Sequence, residues 1–188
     1  MGKLVVTEFI TLDGVIEDPG GAEQFDRGGW TFQFDQGEEG GKFKVDELAA
    51  SDAQLLGRVT YEGFAAAWPT MEGTGEFGEK MNAMPKFVVS TTLKDPEWNN
   101  TTVLSGDLAE EVGKLKQQFD GDILVAGSAQ LVQSLLAGGL VDELRLMVFP
   151  VVLGAGKRLF AGGADATALK LVETRQTGAV AILTLARS

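Results

Sequence analysis

Apolar residues along this chain follow two rhythms. Short runs rich in β-branched and aliphatic side chains, of which "KLVVTEFIT" at Lys3 to Thr11 is the first, predict strands. Others fall at Ala53 to Leu56, Lys86 to Ser90, Thr101 to Leu104, Ile123 to Ala126 and Glu143 to Val151. A last pair, Leu169 to Arg175 and Ala179 to Leu185, flanks Gln176-Thr177-Gly178 and predicts an antiparallel hairpin. Between the strands the spacing changes to that of helices. One begins at Val59 and aligns Tyr61, Phe64, Ala65 and Trp68; a second begins at Leu108, where Asp107 and Glu110 have capping-box spacing, and buries Val112, Leu115 and Phe119. A third follows Gly127-Ser128, turns Leu131, Leu135 and Leu136 inward and ends at Gly138-Gly139. Asp18 to Gly41 fits neither rhythm. It is rich in Gly, Asp and Glu yet holds Phe25, Trp30, Phe32 and Phe34, so it reads as a long loop of the kind that serves as a lid. With no repeat or linker, the alternation predicts one α/β domain over residues 1–188.

Composition narrows the chemistry. No histidine and no cysteine are present, which removes the commonest general base, the commonest metal ligand and all thiol chemistry. Catalysis must therefore use carboxylates, hydroxyls, Lys, Tyr or a cofactor. No Asp/Glu cluster has the spacing of a calcium loop, so a metal enzyme ranks low. The net charge of −11 and the lack of a basic cluster argue against nucleic acid and anionic membrane as partners. No apolar run reaches the length of a membrane span and "MGKLVVTEFITLDG" lacks a secretory cleavage pattern, so the expected location is cytoplasmic.

Two strand-to-helix corners stand out, Leu56-Gly57-Arg58-Val59-Thr60 and Val125-Ala126-Gly127-Ser128-Ala129. In each, a glycine permits a tight turn where free amides at a helix start suit phosphate oxygens. Arg58 adds a guanidinium that can fork onto a phosphate. An ordinary corner fits the same spacing, with Gly57 turning the chain, Thr60 capping and Arg58 in solvent. Two better-known nucleotide motifs fail. Gly154-Ala155-Gly156 has Leu159 where a third glycine belongs, and Gly156-Lys157 is followed by Arg158, not Ser or Thr.

These corners carry a resemblance. Gly57-Arg58-Val59-Thr60-Tyr61-Glu62 is similar to the G-R-x-T-x-E element of dihydrofolate reductases, and "ILVAGSAQLVQSLL" at 123 to 136 resembles the segment closing the same cofactor site. "TLDGVIEDP" at 11 to 19 and "GLVDELRLMVFPVVLGAGKRLF" at 139 to 160 resemble the wider superfamily, including the reductase domains of riboflavin biosynthesis, the RibD C-terminal group. The likeness runs from about residue 3 to 186. It implies a three-layer α/β/α domain with a mixed, mainly parallel sheet binding NADPH at the carboxyl ends of its strands.

Carried over residue by residue, the resemblance assigns Gly57, Arg58, Val59 and Thr60 to the cofactor phosphates and Ser90, Thr91 and Leu93 to the adenosine side. It assigns Gly127, Ser128, Ala129 and Gln130 to the pyrophosphate. Gly127-Ser128 stands where the family has Gly-Gly, which leaves the family's cis peptide an open question here. Trp30 and Asp35 repeat the five-residue spacing from a tryptophan to the acid that anchors the pterin. Asp35 is accordingly the candidate proton-relay group, under a roof of Trp30 and Phe34, with Thr11 and Asp13 beside the substrate; the other reading of Asp35 is a solvated loop acid. Riboflavin-type reductases carry a lysine six residues before the Asp of their S-L-D-G, where this chain has Thr7, and Thr11 replaces the Ser. The expected activity is NADPH-dependent reduction of a small pterin-like, pyrimidine-like or carbonyl compound. The rival is a noncatalytic ligand-binding protein that keeps the cleft. Leu144, Leu146, Val148 and Val151 to Leu153 exceed what one sheet face needs, which suggests an edge covered in a homodimer.

Overall fold

In the computed structural model, which describes residues 1–160 and 162–188, the first strand shows how the layers arise. β1 (Lys3–Thr11) sends Leu4, Val6 and Ile10 into one apolar cluster and Val5 into another, as the period-two alternation of a strand requires. Both of its faces are buried, the state that a nearly continuous apolar run indicates.

The chain continues through a 3-10 turn (Trp30–Gln33), α1 (Gly37–Ala49), β2 (Ser51–Gly57), α2 (Arg58–Ala67), α3 (Gly75–Ala83), β3 (Lys86–Val89) and β4 (Thr101–Leu104). It then forms α4 (Leu108–Gln118), β5 (Asp122–Ala126), α5 (Ala129–Ala137), β6 (Glu143–Phe149), β7 (Leu169–Thr177) and β8 (Val180–Arg187). Among the described residues, eight strands form one sheet in the order β4-β3-β2-β5-β1-β6-β8-β7. The six from β4 to β6 are parallel; β8 runs antiparallel to β6, and β7 to β8. Val112 and Leu115 of α4 and Leu131, Val132 and Leu135 of α5 cover one face. Leu48 of α1, Tyr61 of α2 and Met81 of α3 pack in the cluster on the other. This is a three-layer α/β fold, and none of its helices among the described residues is long and apolar enough to cross a membrane.

The expected strands are all present, and α4 begins where the capping box places it, with Asp107 Oδ1 accepting the Glu110 amide at 3.0 Å. Two helices are additional to the sequence reading. α1 occupies the end of the expected lid loop and continues past it, and α3 follows α2. Both begin at a glycine and contain more, so their intrinsic preference is weak. Tertiary contacts hold α1 instead: Thr177 Oγ1 donates to the Gln36 carbonyl at 2.6 Å and accepts the Gly40 amide at 3.1 Å. The position of β6 also differs from expectation. It is interior, paired with β1 and β8, so Leu144 and Leu146 are core residues; the outer strands are β4 and β7.

Candidate active site

β5 enters the sheet between β2 and β1, although β1 and β2 precede it in the chain. Open α/β sheets bind ligands beyond the carboxyl ends of their strands, where the order reverses. Here that insertion sets the two glycine corners side by side. A cleft of about 580 Å³ opens there, lined by Gly57, Arg58, Val59 and Thr60 from the first corner and by Gly127, Ser128, Ala129 and Gln130 from the second. Val89, Ser90, Thr91 and Thr92 after β3 line one end; Ile16, Glu17, Glu23 and Lys157 also border it. A cavity of about 210 Å³ beyond the carboxyl end of α5, beside Gly139 and Arg187, gathers no helix start.

Hydrogen bonds latch the corners together. The Gly57 amide donates to Ser128 Oγ at 2.9 Å, and the Ser128 amide donates to Thr60 Oγ1 at 3.0 Å. Thr60 keeps its own hydroxyl hydrogen for another acceptor. Gly127 and Ser128 are both left-handed, each with φ 58°, and all peptide bonds of the described residues are trans. A Cβ on Gly127 would lie 3.0 Å from Thr60 Oγ1, so positive φ and close approach both favour glycine there. At Gly57 a Cβ would lie 3.3 Å from Ser128 Cβ and Oγ, a tight fit without positive φ.

α2 and α5 both start at this cleft without a side-chain cap. Their first amides lack partners within the helix, and their dipoles place partial positive charge at one mouth. Arg58 stands at the start of α2, its guanidinium held by Glu62 one turn on, at 2.9 and 3.1 Å. Lys157 adds a second cation, with Nζ 3.6 Å from Glu17. Amides, an adaptable guanidinium and a glycine turn without side-chain bulk make a donor set that fits phosphate oxygens.

Ten of the eleven residues expected around a cofactor line this cleft. Leu93 packs against the apolar cluster beneath. The residues expected around the substrate lie elsewhere. Trp30 is fully buried, edge-on to Phe149, and donates from Nε1 to the Glu17 carbonyl at 3.0 Å, so it is core and not a roof. Phe34 also packs edge-on to Phe149. Asp35 is exposed and does not line the cleft; its Oδ1 accepts the Gly37 amide at 2.8 Å and its carbonyl accepts the Ala179 amide. The Trp-to-Asp spacing spans a turn into α1, and that turn carries the two side chains to different places. Thr11 is buried and donates to Asp13 Oδ1 at 2.6 Å. Asp13 also accepts the amides of Leu153 and Gly154, and the Thr11 hydroxyl and these amides hold its carboxyl down at about 2. Asp13 thus ties the loop after β1 to the segment after β6.

Sequence reading missed Glu8 and the cleft residues Glu17, Glu23 and Lys157. Glu8 had a visible signal, a lone acid in the apolar run of β1. It is buried behind Gly127, whose amide donates to its Oε2 at 3.1 Å. The opposite face of β1 carries a second missed network. Thr7 Oγ1 donates to Glu47 Oε2 at 2.8 Å, Lys44 Nζ lies 2.5 Å from Thr7 Oγ1 and 2.7 Å from Glu47, and Arg145 approaches Glu47 at 3.6 Å. An ammonium from α1 therefore reaches position 7, although no lysine stands there in sequence.

Comparison with known proteins agrees with this architecture. Residues 2–183 match the model of the RibD C-terminal domain family. The uncharacterized Bacillus subtilis protein YyaP is 32% identical over 177 residues, which cover 92% of this chain and 88% of YyaP. A Shewanella sp. PV-4 structure, assigned by its name to riboflavin biosynthesis, superposes with TM-score 0.78 at 19% identity, covering 99% of each chain. Dihydrofolate reductase from Enterococcus faecalis, solved in complex with NADP(H), superposes with TM-score 0.59 at 17% identity, covering 100% of this chain and 97% of that one. At these identities the structural matches speak for the fold.

Proposed function

The chain belongs to the RibD C-terminal domain family, and on that premise we propose that it is an NADPH-dependent reductase acting on a small pterin-like, pyrimidine-like or carbonyl compound. The observation that carries this reading is the convergence of two uncapped helix starts and Arg58 on one cleft. Amides at Val59, Thr60, Ala129 and Gln130 would receive the pyrophosphate. Arg58 would exchange Glu62 for a phosphate of the cofactor, and Ser90 to Thr92 would border its adenosine side. The reduced nicotinamide supplies hydride when bound. The protein's part is to orient the acceptor at the carboxyl end of β1, exclude water and provide a proton.

The latch between the corners favours this use of the site. Gly57, Thr60, Gly127 and Ser128 bond to one another or to Glu8, so the turn is organised before an anion arrives. Preorganised donors lose less on binding than flexible ones. Fluorescence titration with NADPH, followed by a screen of pterins, pyrimidines and ketones for NADPH oxidation, tests the reading. Saturable binding with turnover of one acceptor class is expected. No binding would overturn it, and binding without any turnover would return the chain to the ligand-binding class.

A further inference from the structure

We infer that Glu8 is the proton store of the cleft wall, a buried carboxylic acid coupled through the Gly127 amide to whatever anion the cleft holds. This deepens the reductase reading and rests on it. The case begins with position. β5 ends at Ala126, paired with Thr7, so Glu8 is the first residue of β1 to project beyond β5 on the α4 and α5 face. Its side chain sits under the Gly127-Ser128 turn, with one oxygen, Oε2, accepting the Gly127 amide. The other oxygen, Oε1, is buried and has no hydrogen-bond partner among the described residues, and the residue is only 5% exposed.

That arrangement is costly for a purely structural acid. A buried carboxylate needs several donors or a close cation, and among the described residues Glu8 has one donor. Burial pushes its carboxyl well above the ordinary range, Glu47 and Glu23 push the same way, and the Gly127 amide and Lys44 pull it down by less. Lys44 belongs to α1 across the sheet and is bonded to Glu47; Glu23 lines the cleft and is itself raised, first by burial and then by Asp18. Thus the neutral acid is the favoured form of Glu8, and its free oxygen carries the hydrogen. Elsewhere, Asp13 is held down near 2 and Asp35 accepts the Gly37 amide outside the cleft. Tyr61 is occupied beneath α2, where its hydroxyl accepts the Trp98 amide. Glu8 is a buried carboxyl placed to hold a proton and to sense the cleft wall through the Gly127 amide.

An anion seated on Gly127 favours the neutral acid still more, so binding draws a proton in and affinity falls as pH rises.

The test uses full-length wild type and Glu8→Gln, which keeps an acceptor for the Gly127 amide, with NADPH as the probe. Calorimetry in buffers of different ionisation enthalpy should show proton uptake on binding by wild type, with affinity falling by up to about tenfold per pH unit above the Glu8 midpoint. In Glu8→Gln the uptake should be absent, while affinity at mildly acid pH stays near that of wild type. Carbon-13 NMR of the glutamate carboxyls in wild type provides a measurement independent of the variant's folding. Equal proton uptake in both proteins, or a Glu8 midpoint in the ordinary carboxylate range, would overturn the inference alone. Failure of wild type to bind NADPH would overturn the reductase reading and this inference with it.

Discussion

Arg58→Ala measures how much of the cleft's affinity for an anionic cofactor comes from one guanidinium. In the structure Arg58 is already paired with Glu62, and the two side chains are 44% and 49% exposed. An exposed pair one helical turn apart is worth roughly 0.3–0.5 kcal/mol, so little is lost when Arg58 leaves it. A hydrogen bond to a charged phosphate contributes roughly 1.5–3 kcal/mol. The difference, about 1 to 2.5 kcal/mol, corresponds to about a 5- to 70-fold rise in Kd for NADPH. Intrinsic fluorescence titrations of wild type and variant with NADPH and NADH would give the numbers, the three tryptophans serving as reporters. A loss confined to NADPH assigns Arg58 to the 2′-phosphate, and equal losses assign it to the pyrophosphate. Glu62→Gln, which frees the guanidinium, should tighten NADPH slightly. Unchanged affinity in Arg58→Ala would refute the reasoning and leave the first corner an ordinary turn.

Gly127→Ala forces a Cβ into positive φ and against Thr60, and should destabilise the protein by about 1–3 kcal/mol, seen as a lower Tm, while weakening NADPH. Asp13→Asn should cost about 1–3 kcal/mol in urea unfolding, because it weakens bonds made to a charged acceptor. Since the Asp13 pKa is depressed in the fold, its stabilisation is fully present above about 3.8 and is lost as pH falls through about 2. The gap between wild type and Asp13→Asn should therefore close on acidification; a gap constant down to pH ~2 would contradict the assignment. For self-association, the outer strand β7 exposes Leu171 and Val172, so sedimentation should show a dimer that Leu171→Lys weakens, and a monomer at micromolar concentration would remove the idea.

Local chemistry was legible in the sequence wherever one segment decides its own conformation. β1 and β4 run over the residues their apolar composition marks, and Asp107 caps α4, because side-chain alternation and the reach of a capping oxygen are settled within a few residues. The glycine corners were legible for the same reason: the turn from strand into helix is local at Gly57 and at Gly127. Their meeting was not local. It depends on β5 entering between β2 and β1, a pairing of segments some seventy positions apart that sequence reading reached by resemblance, not by periodicity. α1 was hidden because three glycines weaken its intrinsic preference, and what holds it is Thr177, at the far end of the chain. The spacing of Trp30 and Asp35 suggested a shared pocket, but where each side chain points was set by packing, Trp30 against Phe149 and Asp35 back onto the start of α1. Glu8 shows the division within a single residue. Its identity as the one acid in an apolar strand is written in the sequence, whereas its burial and its single bond to Gly127 exist only because β5 stops one residue short of it in the folded sheet.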